Sequence, residues 1–248
     1  MQYMSNPSNS NNSGFTPPLP VVVGITGATG SILGFELIKT LLQMGQPVDM
    51  IISDKSYQVI FEEMGISMPK SMDAQKQAVL NYIELPDSRY TPLLNCYGNQ
   101  QLGAKPASGT YLTRGMVVIP CSMATLGKLA CGISDNLVTR SADVTLKERR
   151  PLLVIPRESP FNRIHLENML RLHDAGATVI PPVLSFYQEA FMSLEGQISY
   201  TIGKVLDHLG LTEHTAYTRW GSQASYTSST ATPEHVIPPA KSIVNIPF

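Results

Sequence analysis

Apolar positions follow two rhythms along this chain. The stretches 20–25, 48–53, 116–120, 151–156 and 177–181 are rich in Val, Ile and Leu and show no polar alternation. That pattern predicts strands covered on both faces, as in a parallel sheet. Between them, apolar residues recur at helical spacing near 31–44, 55–64, 122–130, 135–149 and 162–175, and again at 194–209 after the last strand. Residues 66–112 are less regular, with a short helix predicted over 70–83 and then a Pro/Gly/Asn-rich stretch ending in KPASG. The alternation of strand and helix predicts an α/β fold with a single doubly wound parallel sheet, Rossmann- or flavodoxin-like, flanked by helices. No internal repeat and no second domain are visible.

The two ends break both rhythms. Residues 1–18 are mainly Asn, Ser and Pro, and 222–248 are rich in Ser, Thr and Pro. Both are expected to be mobile in an isolated subunit. The final residues, 243–248, are apolar enough to dock on a neighbour. One domain is therefore expected over 19–221, large enough for one substantial core.

Charge and composition narrow the function. A formal net charge of -1 gives no footprint for nucleic acid. No apolar run approaches the roughly 20 residues of a membrane helix, and no basic-then-apolar leader opens the chain. Cys96, Cys121 and Cys131 form no CxxC motif, which predicts reduced thiols in a cytoplasmic protein. His165 and His173 share a helical segment without other ligands at metal spacing, so they read as helix-surface residues.

Candidate chemistry collects where the predicted strands end, because ligands of such sheets bind beyond the carboxyl ends of the strands. The first strand runs into VVVGITGATGSILG, residues 21–34. Its glycines at 24, 27, 30 and 34 fit neither a strict GxGxxG nor a P-loop. A glycine turn opening a helix still makes an anion cradle, since backbone N–H groups point outward at the positive end of the helix dipole. The same turn also serves close packing. Thr29 offers a hydroxyl at its tip, whose ordinary role would be to cap the helix. Ser53 follows the second strand. In IPCSMATLGKL, Ser122 is a natural N-cap with Thr125 three residues on, and the same groups could face a cofactor.

In SDNLVTRSADVTLKERRP, Ser134 or Asp135 is expected to cap a helix that Pro151 stops. Arg140, Asp143 and Lys147 form one helical stripe, in which Asp143 would ordinarily pair with both cations. The functional reading has Arg140 or Lys147 reaching a phosphate, across a subunit boundary. Arg157 and Glu158 in VIPRESP make either a structural salt bridge or an anion site beside a proton-transfer group. No Ser-His-Asp set or Cys–His pair is found at this rim.

Taken together, GITGATGSILG, IISDKS, KPASG, the long run from IPCSMATLGKL through KERRPLLVIPRESPF, IHLENMLRL, GATVIPP, FYQ and RWG resemble the UbiX family of flavin prenyltransferases. The likeness spans residues 20 to about 221. It implies a flavoprotein that joins the dimethylallyl group of dimethylallyl phosphate to N5 and C6 of reduced FMN without a metal. It also implies that prenylated FMN passes to a UbiD-type decarboxylase, in quinone synthesis or aromatic-acid breakdown, and that the enzyme is a homo-oligomer, a dodecamer in relatives.

By the same resemblance, Gly27, Ala28 and Thr29 form a first flavin loop, Ser53 contacts flavin, and Ser122, Met123, Ala124 and Thr125 form a second flavin loop. Arg157 lies near flavin and phosphate. Glu63, which its own context would mark as a surface residue, matches a catalytic glutamate. Arg140, Lys147, Glu158 and Tyr187 match the surroundings of the prenyl phosphate, and Ser108 and Gly109 a loop reaching it. Thr29 stands where Ser is usual. Lys204 stands where an Arg is usual, keeping the charge and losing the bidentate fork. The alternatives are an FMN-dependent cysteine-type decarboxylase of the same fold, whose catalytic His and PxMNxxM loop are not visible here, and a non-catalytic flavin carrier.

Overall fold

A computed structural model describes residues 18–186 and 188–219. Six parallel strands form one sheet in the order β3-β2-β1-β4-β5-β6. They are β1 (Val21–Ile25), β2 (Val48–Ile52), β3 (Leu94–Gly98), β4 (Gly115–Cys121), β5 (Leu152–Pro156) and β6 (Thr178–Val179). Seven α-helices are described: α1 (Ser31–Gln43), α2 (Ser56–Met64), α3 (Met72–Tyr82), α4 (Met123–Ala130), α5 (Leu137–Lys147), α6 (Arg163–Asp174) and α7 (Leu194–His208). None is long and apolar enough to cross a membrane.

Alternating side chains on the central strands feed two cores, as the two-residue period of a strand requires. Val21, Val23 and Ile25 of β1 pack with side chains of α1, α2, α3 and α7. Val22, with Met116 and Val118 of β4, packs with side chains of α4, α5 and α6. A continuous apolar run is thus what a strand between two helical layers needs. Phe35 of α1 is fully buried and meets Tyr82 edge-on at 5.4 Å. Truncating such a ring to Ala costs about 3–5 kcal/mol. Gly34 lets α1 lie directly on β4, because a Cβ there would come 2.8 Å from the carbonyl oxygen of Ile119.

β3 is a strand that the apolar pattern does not predict. It is an edge strand, partly exposed over most of its length, in the register Leu94↔Val48 to Gly98↔Ile52. Leu94 and Cys96 turn to the first core. Asn95 turns to the other face, where its amide donates to the buried carboxylate of Asp49 at 2.9 Å. Alternating partners on a half-covered strand give alternating residue types, which a search for unbroken apolar runs passes over.

Candidate active site

Strand order reverses between β1 and β4, whose pairing runs Val21↔Gly115 to Gly24↔Val118. The loops leaving the two strands therefore diverge to opposite sides and open a crevice between them, the usual ligand position in such sheets. Thr26 stitches the two loops. It is 1% exposed. Its hydroxyl donates to the carbonyl of Pro120 at 2.8 Å and accepts from the N–H of Ser122 at 2.8 Å. Thr26 lies in the glycine-rich stretch 21–34, where spacing singles out the glycines and not this residue. Its signal is its place as the first polar residue after a buried strand.

Beyond Thr26 the chain turns into α1 through Gly30, whose φ of 92° lies in the left-handed region that favours glycine. Gly30, not Thr29, occupies the N-cap position, and no side chain there caps the helix. The cap comes from 33 residues away: Glu63, on α2, accepts the N–H of Gly30 at 2.8 Å through one oxygen and that of Ser31 at 2.9 Å through the other. A carboxylate suits the positive end of a helix. Thr29 is left exposed, with no side-chain partner among the described residues. A threonine in the cap position would need an extended backbone, whereas this turn uses the left-handed region one residue later.

The end of β2 is tied in as well. The N–H of Ser53 donates to the Ile25 carbonyl at 2.9 Å, and its hydroxyl shares a hydrogen bond of 2.8 Å with Ser56. Ser56 in turn donates to the Ile25 carbonyl at 2.8 Å. On the other side, Ser122 caps α4 by accepting the N–H of Thr125 at 3.3 Å, and their hydroxyls lie 3.1 Å apart. The capping and site readings of Ser122 are therefore compatible.

A crevice of about 360 Å³ lies between these loops, lined by Gly27, Ser53, Asn99, Ser122, Ala124 and Thr125 among others. Its size falls in the usual range for small-ligand sites. Gly27 leaves no room for a side chain, since a Cβ would sit 2.8 Å from that of Lys55. Lys128 and Asp135 form an ion pair at 2.6 Å on the crevice wall. That hydrogen bond holds the Asp135 carboxyl below its ordinary range. A larger cavity of about 700 Å³ runs along α1 and α7, lined by side chains such as Ile32, Met44, Ile198 and Glu213. It contains none of the loop groups at the switch point.

The remaining candidates stand apart. Arg157 is fixed to the end of β4 through its N–H, which donates to the Cys121 carbonyl at 3.1 Å. It forms no salt bridge with Glu158, which accepts the N–H of Ser159 at 3.0 Å instead. Both side chains are exposed. On α5, neither Ser134 nor Asp135 is the cap: Asn136 is, in a reciprocal capping box with Thr139. Asp135 is held by Lys128, which frees Asn136 for that role. Among the described residues Asp143 pairs with Arg140, at 2.9 Å, and not with Lys147, which pairs with its neighbour Glu148. Lys147 holds the Glu148 carboxyl below its usual value.

Ser108 and Gly109 lie in a turn beside Lys147 and Glu148. Lys204 lines a separate cleft of about 270 Å³ with Thr178, Ile180, Tyr200 and His208. Met123 packs against the second core rather than lining the crevice. Tyr187 lies outside the described residues. No cluster of three or more His, Cys, Asp or Glu able to hold a metal occurs among the described residues.

A doubly wound sheet with two glycine- and hydroxyl-lined loops at its switch point defines the nucleotide- and flavin-binding class of α/β proteins. The Flavoprotein family profile matches residues 9–205. The chain is 42% identical over 201 residues to a flavin prenyltransferase UbiX of Alkalihalophilus pseudofirmus, covering 81% of this chain and 96% of that one. Among solved structures it is similar to AnUbiX (PadA1) in complex with FMN and dimethylallyl pyrophosphate, at 32% identity and a TM-score of 0.70, covering 83% of this chain and 98% of that one. It is also similar to a dodecameric FMN-dependent UbiX-like decarboxylase from Escherichia coli O157:H7, at 34% identity and a TM-score of 0.69, covering 82% and 100%. The chain belongs to the UbiX-type flavin prenyltransferases of the Flavoprotein family.

FMN fits the crevice on this chain's own terms. The Gly27 cradle admits close approach to the backbone. The hydroxyls of Ser53, Ser122 and Thr125 ring an opening whose strand-side walls are held by buried hydrogen bonds.

Proposed function

We propose that this protein transfers the dimethylallyl group of dimethylallyl phosphate to N5 and C6 of reduced FMN, and that the prenylated FMN serves a UbiD-type decarboxylase. The observation that carries this reading is the Thr26-stitched crevice at the strand-order reversal, in a chain of this family. FMN, when bound and reduced, supplies the nucleophilic nitrogen and the ring carbon that accept the five-carbon unit.

The chain's own residues hold, neutralise and move protons. Gly27, Ser53, Ser122, Ala124 and Thr125 line the flavin cradle, Ala28 and Thr29 extend it at the turn into α1, Met123 backs it from the second core, and Arg157 flanks it. Arg140, Lys147, Lys204 and Tyr187, with the turn at Ser108 and Gly109, receive the phosphate. Cations placed where negative charge grows on a leaving phosphate stabilise the transition state more than the ground state. Glu158 holds one hydrogen bond through Oε1, and its other oxygen has no partner among the described residues, so it remains open to carry a proton. Glu63 uses one lone pair on each oxygen to hold the α1 amides and keeps others for proton transfer.

Arg140, Lys147 and Lys204 do not line the crevice of their own chain. That separation supports a homo-oligomer, a dodecamer, with the site completed at a subunit junction. α6 supports it too: Ile164, Leu166 and Leu170 are 65%, 53% and 60% exposed on one helix. The three free cysteines fit a reducing, cytoplasmic setting.

The test is anaerobic incubation of the protein with FMN, a reductant and dimethylallyl phosphate, followed by mass spectrometry of the extracted flavin. The expected product is heavier than FMN by one C5H8 unit. Unmodified flavin from folded, FMN-bound protein overturns the reading.

A further inference from the structure

Arg150 follows the last turn of α5, three residues after Lys147, and is half-buried. Its guanidinium forks onto the turn 108–111: Nη1 donates to the Tyr111 carbonyl and Nη2 to the Gly109 carbonyl, each at 2.7 Å. The turn is closed by the N–H of Tyr111 donating to the Ser108 carbonyl at 3.2 Å. It is anchored again by the Tyr111 hydroxyl, which donates to the buried carboxylate of Asp49 at 2.9 Å. The other side of the turn presses on the cation site. A Cβ on Gly109 would lie 2.3 Å from Oε1 of Glu148 and 2.7 Å from Nζ of Lys147. The Gly109 backbone is not in the left-handed region, so this position excludes volume rather than a conformation.

We propose that Arg150 is a positioning residue for donor binding: it clamps the turn 108–111, and Gly109 on that turn sets where the ammonium of Lys147 stands. This rests on the reading that Lys147 meets the phosphate of the prenyl donor. An exposed lysine otherwise samples many rotamers and must lose them to hold an anion. A fixed wall on one side, with Glu148 as counter-charge, narrows that set before the donor arrives. The planar guanidinium holds two donors rigidly at the spacing of these two carbonyls, which the single ammonium of a flexible lysine does not reproduce.

The experiment compares Arg150→Lys, Gly109→Ala and Lys147→Ala with the unchanged FMN-loaded protein, measuring FMN affinity, thermal midpoint, and kcat and KM for dimethylallyl phosphate. Arg150→Lys is expected to raise the donor KM about tenfold while FMN affinity stays within about twofold. Gly109→Ala leaves both clamped carbonyls in place and displaces only the flexible ends of Lys147 and Glu148. It is expected to give the same rise in KM with an unchanged thermal midpoint, and no further rise in the Lys147→Ala background, where a direct contact of Gly109 with the phosphate would still show. Combined, the two changes are expected to be less than additive, because both act through Lys147.

If Lys147→Ala raises the donor KM while Gly109→Ala and Arg150→Lys leave it within about twofold, the positioning role is wrong and the assignment of Lys147 stands. If Lys147→Ala itself leaves the donor KM unchanged, both fall. Should Arg150→Lys fail to fold, Gly109→Ala with and without Lys147→Ala decides, and a full further rise in KM in the Lys147→Ala background overturns the positioning role.

Discussion

The switch-point crevice and the cation-bearing helices are built on opposite plans. The crevice is cut into the middle of the sheet, and its loops are held by long-range hydrogen bonds, those of Thr26 to Pro120 and Ser56 to Ile25 buried and that of Glu63 to Gly30 at the surface. Thr26 joins the two loops, Ser56 ties the β2 loop to β1, and Glu63 closes the end of α1. The cations sit on outer helices, partly exposed, each engaged locally: Arg140 with Asp143, Lys147 with Glu148, and Lys204 over a cleft beside β6. One region is organised by long-range hydrogen bonds, whereas the other holds partly exposed charges, two of them paired along their own helix or at its end. A binding site for a flat aromatic acceptor gains from rigidity, and a site for a departing anion needs charges that can be redirected to it.

Substitutions sharpen the contrast, beginning with the largest expected effect. Thr26→Val leaves the half-buried Ser122 N–H without its partner, at roughly 1–3 kcal/mol, while the Pro120 carbonyl keeps the backbone N–H at position 26 as its donor, at 3.2 Å. FMN affinity and thermal midpoint should fall together, and Thr26→Ser should restore both. Retained FMN affinity in a folded Thr26→Val protein would mean that the crevice is not organised by this stitch.

Glu63→Gln comes next, because it turns an amide NH₂ toward one of the two backbone N–H groups that Glu63 now accepts. Loss of a helix cap costs about 1 kcal/mol. The variant should therefore bind FMN more weakly by a few-fold, and prenylation measured at saturating FMN isolates the proton-transfer role. Normal turnover under that condition would leave Glu63 as a loop anchor alone.

At the rim, Lys204→Arg should lower the donor KM a few-fold and leave FMN titrations unchanged, since a fork replaces a point charge. An altered FMN affinity would show that the two regions are not separable.

The smallest effect concerns pH and Asp49, which anchors the turn 108–111. Burial raises its pKa above the ordinary 3.8, against hydrogen bonds from Asn95 and Tyr111. The folded state then holds a proton that the unfolded state releases. Stability from this group is full below 3.8 and is lost as pH rises through the raised folded value. In a comparison of thermal midpoints across that range, Asp49→Asn should lessen the decline. Parallel curves for the two proteins would exclude a contribution from Asp49.

Four strands, β1, β2, β4 and β5, are legible because burial on both faces leaves an unbroken apolar run, the short edge strand β6 is legible from its β-branched residues, and the glycine loop is legible because only a few residue types allow its turn. β3 escaped because its residues, LNCYG, alternate between the first core and a polar face and never form an apolar run. The caps of α1 and α5 escaped because each was decided by competition: Glu63 reached Gly30 from another helix, and Lys128 drew Asp135 away from a capping role. Family likeness, not spacing, pointed to Glu63 and Lys204. Residues distant in sequence carry no mutual signal until the chain brings them together.

By itself, then, the order of residues determined the alternation of elements, the sheet class and the glycine- and hydroxyl-bearing segments at the strand ends, since those follow from local periodicity and backbone sterics. Only the tertiary structure decided that Thr26 would join the two loops, that Glu63 would cap α1, and that Arg150 would grip the turn facing Lys147. Each of those contacts spans more than 30 residues of chain. Long-range hydrogen bonds are chosen by which groups the packed sheet leaves within reach and without water, a property of the folded whole.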